Sequence, residues 1–255
     1  MGELQYSIFR YAPSIVSGEK INLAAIFYYP ETGYREFFSV SKWSRVSAFD
    51  DTLNISLLKA LMFDIKDEIG TELDNPSFDL RKYCLQYDSE FYFDKCESLV
   101  DVLQNELDTQ IEEVKRMYFQ FEYESTDRPI HEDQKKFLRR LLVSKDIEYT
   151  KYPVRPANYG AEIKYDFIFD HFGVVFFDFN VAKIDHKIMN KVKAWVWNAM
   201  NETQKLDLLV LYNLENEHRP DVKPALEMLE SVAYKMINIH GGFSDVSLLI
   251  TKEVS

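Results

Sequence analysis

The sequence predicts an α+β protein of two domains, residues 1–127 and residues 128–255. Three observations lead to this prediction. Near the N-terminus, short apolar segments with partial alternation are separated by turn signals, which is typical of antiparallel strands. The second half alternates amphipathic helical stretches with apolar strands, which is typical of a mixed sheet flanked by helices. Between the halves, the polar cluster Thr126–Arg128 and the following Pro129 coincide with a change in charge.

The predicted N-terminal domain is a small antiparallel sheet packed with helices. Its expected strands are Leu4–Tyr11, Ile21–Tyr29, Tyr34–Val40, Phe91–Phe93 and Met117–Tyr123. Apolar residues at intervals of three and four predict helices over Leu53–Ile69 and Leu99–Val114. A loop is expected at Ser17–Gly18 and a chain break at Asn75–Pro76.

The predicted C-terminal domain begins with a helix and continues as a sheet with crossover helices. Its expected helices are Ile130–Ser144, Ile188–Met200 and Asp221–Ile237, and Lys151–Gly160 is expected to be an extended loop. Its expected strands are Ile163–Phe169, Val174–Phe179, Leu206–Leu214 and Val246–Ile250. The unbroken apolar run of Leu206–Leu214 indicates a strand that is buried on both faces.

The net charge of −12 is concentrated in the first half of the chain. Residues 1–128 hold 24 acidic and 13 basic side chains, whereas residues 129–255 hold 18 and 17. An acidic domain repels nucleic-acid phosphate and attracts basic protein surfaces. Two interpretations stay open: an ordinary solvated surface, or a docking face for a basic partner such as a nucleic-acid enzyme.

The composition favours a cytoplasmic protein. No apolar run is long enough for a transmembrane helix, and residues 1–10 lack the pattern of a secretory signal. Cys84 and Cys96 have neither the spacing of a zinc site nor that of a disulfide framework, so a reducing compartment fits.

The segment Tyr165–Asn180 contains the first candidate site. It predicts two apolar strands joined by a tight turn, with Asp166 near the start of one strand and Asp178 near the end of the other. The carboxylates of such a pair are suitable ligands for Mg²⁺. The plain alternative is that both acids reach solvent or bind a nearby backbone group.

Basic and aromatic residues occur together in the extended loop and suggest a second candidate. Lys151, Tyr152 and Arg155 would contact nucleic acid by phosphate pairing and base stacking, or would simply brace the crossover. The same alternatives apply to Lys187, Lys191 and Lys193 beside Trp195 and Trp197, whose simpler interpretation is the solvated side of an amphipathic helix.

The opening residues carry a resemblance. Tyr6-Ser7-Ile8-Phe9-Arg10-Tyr11-Ala12-Pro13, followed by the strand at Ile21, resembles an uncharacterised bacterial family that begins Y-S-I-x-R-Y-x-P. The resemblance covers about the first 110 residues. It implies no activity, but members of that family are often found near prophages and other mobile elements.

The order helix, strand hairpin, helix, strand in the second half resembles a degenerate restriction-endonuclease-like domain. The resemblance implies a Mg²⁺ site with Asp166 as first ligand and Asp178 as second. Asn180 stands where that family has its lysine, so Lys183 would have to supply the ammonium group, and Glu132 would supply an additional carboxylate.

These observations lead to a function hypothesis with two alternatives. The leading hypothesis is a non-catalytic interaction protein of a phage or mobile element that binds a basic, nucleic-acid-handling partner and inhibits a host defence complex. The first alternative is a Mg²⁺-dependent nuclease that uses Asp166, Asp178, Lys183 and Glu132. The second is an accessory protein of a toxin–antitoxin pair.

Overall fold

The computed structural model describes residues 2–14, 19–71, 78–160, 162–203, 205–216 and 219–254. The chain forms two compact units, Met1–Pro129 and Ile130–Ser255. The loop expected at Ser17–Gly18 and the break expected at Asn75–Pro76 lie outside the described residues. Within the described residues, no helix has the length and apolar character needed to cross a bilayer.

In its described part, the N-terminal unit is an antiparallel five-stranded sheet with four helices. The strands are β1 (Gly2–Tyr11), β2 (Ile21–Tyr29), β3 (Tyr34–Ser39), β4 (Phe91–Phe93) and β5 (Glu97–Val102). The helices are α1 (Trp43–Phe49), α2 (Ile55–Thr71), α3 (Leu80–Cys84) and α4 (Leu107–Tyr118). Strand β1 pairs with β2 along one edge and with β4 and β5 along the other, and β3 pairs with β2.

Three buried polar side chains of strand β1 have partners. The Nε atom of Arg10 lies 2.9 Å from Oδ2 of Asp94. The hydroxyl of Ser7 donates to the carbonyl oxygen of Asp94 at 2.6 Å, and the hydroxyl of Tyr11 donates to Asp50 at 2.6 Å. Burial of an unpaired polar group is costly, so these contacts define the position of β1 against the segment after β4.

The C-terminal unit contains a mixed five-stranded sheet, a two-stranded hairpin and four helices among its described residues. The strands are β6 (Thr150–Lys151), β7 (Val154–Pro156), β8 (Glu162–Lys164), β9 (Phe167–Phe169), β10 (Phe172–Asp178), β11 (Asp207–Asn213) and β12 (Lys235–Asn238). The helices are α5 (His131–Ser144), α6 (His186–Met200), α7 (Lys223–Glu230) and α8 (Ser244–Glu253).

The strand order of the mixed sheet is β12-β11-β10-β9-β6. Strands β10, β11 and β12 are parallel, whereas β9 and β6 run antiparallel to their neighbours. Strands β7 and β8 pair only with each other among the described strands. Helix α6 connects β10 to β11, and the carboxylate of Asp185 caps its first turn by accepting from the N–H of Ile188.

Gly173 in β10 is required by a close side-chain contact. A Cβ atom at this position would lie 2.3 Å from the ring of Tyr165. That ring packs against Trp195 with 5.2 Å between centroids, and its hydroxyl donates to the buried carboxylate of Glu202 at 2.7 Å. A glycine inside a strand here allows an aromatic side chain to lie directly over the backbone.

The α+β class is confirmed, with an antiparallel N-terminal sheet and a separate mixed sheet with helices, but several predicted elements are wrong. Leu99–Val102 belongs to a strand, because β5 pairs with β1. Met117 lies in the last turn of α4 instead of starting a strand, and Val246–Ile250 lies in α8. Short apolar runs fit a helix and a strand equally well, so pairing partners decide between them.

Two predicted elements of the C-terminal domain are divided. The strand expected over Ile163–Phe169 consists of β8 and β9, which belong to different sheets. The helix expected over Asp221–Ile237 ends at Glu230, and the residues that follow enter β12.

We expect Arg10→Ala to lower the free energy of unfolding of the N-terminal unit by about 3 kcal/mol, because it leaves the carboxylate of Asp94 largely buried and uncompensated. Urea unfolding of the full chain in a Trp195→Phe/Trp197→Phe background measures this, since Trp43 then reports on its own unit.

Arg116→Ala is the matched control for this prediction. It removes the arginine of the half-exposed Arg116–Glu112 pair and should change the stability by less than about 1 kcal/mol. Equal effects of the two substitutions would contradict a structural role for Arg10.

Candidate functional site

The strands β9 and β10 bring Asp166 and Asp178 to one end of a hairpin. Asp166 immediately precedes β9, and its Oδ2 atom accepts from the N–H of Phe176 at 2.9 Å. Asp178 ends β10, two residues beyond Phe176, which corresponds to about 7 Å along a strand. The structure therefore places the two predicted acids on neighbouring strands at the same edge.

Asp166 forms an ion pair with a lysine that the sequence analysis did not single out. Oδ1 of Asp166 lies 2.8 Å from Nζ of Lys135, and the two side chains are 20% and 9% exposed. Lys135 also donates to Glu132 at 3.1 Å. Burial lowers the pKa of Lys135, but the hydrogen bonds and charges of Asp166 and Glu132 outweigh it and raise the pKa above its usual value.

Helix α5 positions Lys135 because its amphipathic pattern points this residue inward. Phe137, Leu138, Leu141 and Leu142 are fully buried on the same helix, and Lys135 is nearly so. A lysine on the apolar side of a helix needs a buried acid as a partner. The position of Lys135 on the apolar side of α5 can be seen in the sequence. It indicates that the ammonium group points inward, but it does not identify the acid with which Lys135 forms an ion pair.

His131, at the start of α5, lies near both predicted acids. Its ring packs on Phe176 with 5.4 Å between centroids. Burial lowers its pKa below the usual value, and Lys135 and Lys191 lower it further, whereas Asp166 and Asp178 act in the opposite direction. The fold therefore favours the neutral form of this histidine.

Asp178 belongs to a separate hydrogen-bond chain at the carboxyl ends of the parallel strands. Its Oδ1 atom accepts from the N–H of Asn180 at 2.9 Å and from the side chain of Asn213 at 3.4 Å. The Oδ1 atom of Asn213 hydrogen-bonds Nδ1 of the buried His240 at 2.8 Å. Sequence reasoning missed Asn213 and His240, although each follows an apolar strand at the edge where ligands bind in open parallel sheets.

Lys183 and Glu132, the remaining predicted nuclease residues, lie outside this hydrogen-bond chain. Lys183 is exposed in the segment between β10 and α6, and Asn180 is exposed directly after β10. Glu132 is exposed and is linked to the site through Lys135. The ammonium group next to Asp166 is thus supplied by α5, and the role predicted for Lys183 stays a prediction.

The described residues do not fit a Mg²⁺ site in this arrangement. Among them, no three His, Cys, Asp or Glu side chains gather closely enough to hold a metal ion. Both oxygens of Asp166 have protein partners, and the ammonium group of Lys135 would repel a cation at 2.8 Å. A cation would therefore have to displace Lys135.

The predicted nucleic-acid residues surround the start of the hairpin. Lys151 and Tyr152 are exposed, and Arg155 is half-buried on β7. The backbone N–H of Tyr152 donates to the carbonyl oxygen of Asp166 at 3.1 Å, and Nζ of Lys135 lies 5.8 Å from the centre of the Tyr152 ring. Tyr152 therefore lies beside the candidate site, while its contact with nucleic acid stays a prediction.

Comparison with known families gives a match for the N-terminal segment. Residues 6–80 match the family described as "Protein of unknown function (DUF3037)". The expected resemblance to an uncharacterised family is confirmed for that segment, which covers less than a third of the chain. A comparison with curated proteins and one with solved structures found no match, so nothing supports the resemblance of the second half to restriction endonucleases.

We expect the C-terminal unit to lose stability as the pH falls from about 7 to 5, because His131 binds a proton more readily in the unfolded chain, where its pKa is about 6.5. His131→Gln should flatten this slope. Urea unfolding in a Trp43→Phe background, followed by the emission of Trp195 and Trp197, measures it.

His186→Gln is the control, since His186 is exposed at the start of α6. It should leave the pH slope as it is. A His131→Gln variant with an unchanged slope would show that His131 titrates normally in the folded protein.

Proposed function

We propose that the protein is a non-catalytic interaction protein whose N-terminal unit binds a basic, nucleic-acid-handling partner in the cytoplasm. The observation that carries the proposal is the outer face of α2. Leu57 and Phe63 are 68% and 69% exposed there, beside the exposed carboxylates of Asp64 and Asp67. Large exposed apolar side chains rimmed by charge are typical of protein–protein contact sites.

The opposite face of α2 explains why these side chains are directed outward. Leu58, Met62, Ile65 and Ile69 are buried and follow the helical repeat, so they provide the packing of the helix in its own unit. Leu57 and Phe63 add nothing to that packing. Their exposure is accounted for if a partner covers them.

The charge of the unit supports a basic partner. Residues 50–128 carry 20 acidic and 8 basic side chains. The exposed acids among the described residues of this range are Asp51, Asp64, Asp67, Glu68, Asp79, Asp88, Glu90, Asp101, Glu106, Asp108, Glu124 and Asp127. Such a surface speeds encounter with a positively charged protein and disfavours direct contact with phosphate.

The ion pair of Lys135 and Asp166 supports the non-catalytic part of the proposal. A carboxylate that is bound by an internal ammonium group does not offer its charge to a metal ion or a water molecule. The partner that we propose is a nucleic-acid-binding component of a host defence complex, which fits the mobile-element setting that the opening motif implies.

We expect the tagged full-length protein to enrich a basic nucleic-acid-handling protein from bacterial lysate, as identified by mass spectrometry. Since the interaction depends on charge, raising the salt to about 0.5 M should weaken it. The Asp64→Asn/Asp67→Asn variant should weaken it at least several-fold.

The matched control is Glu227→Gln/Glu230→Gln, which removes two exposed acids from α7 of the C-terminal unit. This variant should retain the partner. Recovery of only abundant background proteins at low salt, or equal recovery by both double variants, would reject the proposed interface.

A metal-dependent nuclease is the second candidate, and one observation favours it. Glu132, Asp166 and His131 gather around Lys135 at the edge where Asp178 ends β10. In this alternative, Asp166 and Asp178 would hold Mg²⁺, and Lys135 would supply the ammonium group in place of the lysine that the sequence replaces with Asn180. A nuclease of this kind would need only Asp178 and the cluster of His131, Glu132, Lys135 and Asp166.

Our proposal predicts that the full-length protein cleaves neither single-stranded nor duplex DNA or RNA in the presence of Mg²⁺ or Mn²⁺, because the acids stay bound by protein groups. Gel assays with end-labelled substrates test this. Cleavage that Asp178→Ala abolishes and Glu230→Ala preserves would instead establish the nuclease.

A further inference from the structure

The outer face of α6 is exposed and contains no carboxylate. His186, Asn190, Lys193, Trp197 and Met200 follow one another at helical spacing and are all exposed, whereas Val192 and Val196 are buried on the other side. Helix α6 has three lysines and no acidic residue in its 15 positions. Trp197 is 48% and Met200 58% exposed, so this face combines positive charge with uncovered apolar surface.

The tip of the β7–β8 hairpin is fastened beside this face. The N–H of Asn158 donates to the carbonyl oxygen of Asn201 at 2.9 Å, directly after α6. The hydroxyl of Thr203 donates to the carbonyl oxygen of Pro156 at 3.0 Å. These contacts fix the tip on the end of the helix, so the surface that they form together exists before any ligand binds.

Tyr159 projects from the tip toward Trp197. Its side chain is 88% exposed, and the two ring centroids are 6.3 Å apart with 34° between the ring planes. Its backbone φ of 62° lies in the left-handed region, which a side chain of this size rarely adopts. Neither burial nor backbone preference accounts for a tyrosine at this position. Residues in sparsely populated backbone conformations cluster where a side chain has a role in binding.

The charges around the ring pair are mostly positive. Lys193 lies one helical turn before Trp197, and Lys187 lies on the neighbouring stripe of the same helix. On the hairpin, Lys164 is exposed and Glu162 is the one exposed acid among its described residues. The nearby Glu202 is buried by its contact with Tyr165.

We propose that Tyr159, Trp197, Lys187 and Lys193 form a binding surface for single-stranded nucleic acid. Uncovered aromatic rings stack on unpaired bases whatever their sequence, and neighbouring lysines pair with phosphates. A duplex hides its base faces, so it offers the rings nothing to stack on. The charge of the surface favours a polyanion, and its residues are distinct from those proposed to bind the partner of the N-terminal unit.

Fluorescence anisotropy of the full-length protein with a labelled oligothymidine of about 16 nucleotides tests this surface. We expect binding at low salt that is at least tenfold tighter than binding to a duplex of the same length. Tyr159→Ala and Trp197→Ala should each weaken it about tenfold, whereas Tyr159→Phe should retain it. Lys193→Gln should reduce the dependence of log K on log salt by about 0.7.

Two controls separate a stacking role from a structural one. Trp197→Phe should retain most of the affinity but remove the quenching of tryptophan emission by the oligonucleotide. Tyr234→Ala removes an aromatic ring that is similarly exposed outside this surface, and it should leave the affinity unchanged.

The Asp64→Asn/Asp67→Asn variant, which affects the partner proposed for α2, should also retain oligonucleotide binding. Three results would overturn the proposal: absence of binding at low salt, a preference for duplex, or equal affinity of the wild-type and the two alanine variants. A protein would then be the candidate partner of this surface.

Discussion

The ion pair between Lys135 and Asp166 is the interaction on which the chemistry of the C-terminal unit depends. It joins α5 to the start of β9 and saturates one oxygen of Asp166, while the backbone of Phe176 saturates the other. A ligand of Asp166 must therefore compete with a tethered ammonium group. Displacing Lys135 from Asp166 would leave a nearly buried ammonium group with only the exposed Glu132 as its partner, which is unfavourable. The ion pair therefore opposes the use of Asp166 as a ligand of a cation.

The N-terminal unit also contains a buried ion pair, but this pair belongs to the sheet and not to a candidate site. Arg10 is buried in the central strand and is compensated by Asp94, which follows a strand far along the chain. Because charged groups tolerate burial only with a partner, each pair selects one register among those that the apolar residues alone would allow. The polar residues of the opening motif are therefore explained by the architecture of the sheet, and the motif by itself gives no catalytic group.

Local patterns were sufficient to predict the helices and strands whose apolar residues recur at regular intervals over many positions. The sequence predicts β1 to β3, β10, β11, α5 and α6, and it places Asp166 and Asp178 on the two strands of one hairpin. The apolar stretches around Leu99 and Val246 are too short to distinguish a helix from a strand, and long-range pairing decided both. Lys135 was missed for a related reason, since its partner follows from how α5 is rotated against the sheet. The link from Asp178 through Asn213 to His240 likewise requires the order of three parallel strands.

The uneven distribution of charge along the sequence affects binding at both proposed surfaces. The acidic excess lies in residues 1–128, whereas α6 carries no acid at all. At ordinary ionic strength a surface charge acts over about 10 Å, so the lysines near Trp197 attract a phosphate that comes close to them. The net charge of −12 opposes the approach of a polyanion at long range, whereas the lysines near Trp197 attract it at short range. A basic protein bound to α2 would neutralise part of that charge and would thereby favour the nucleic acid. By thermodynamic linkage, the bound strand would favour the basic protein to the same degree.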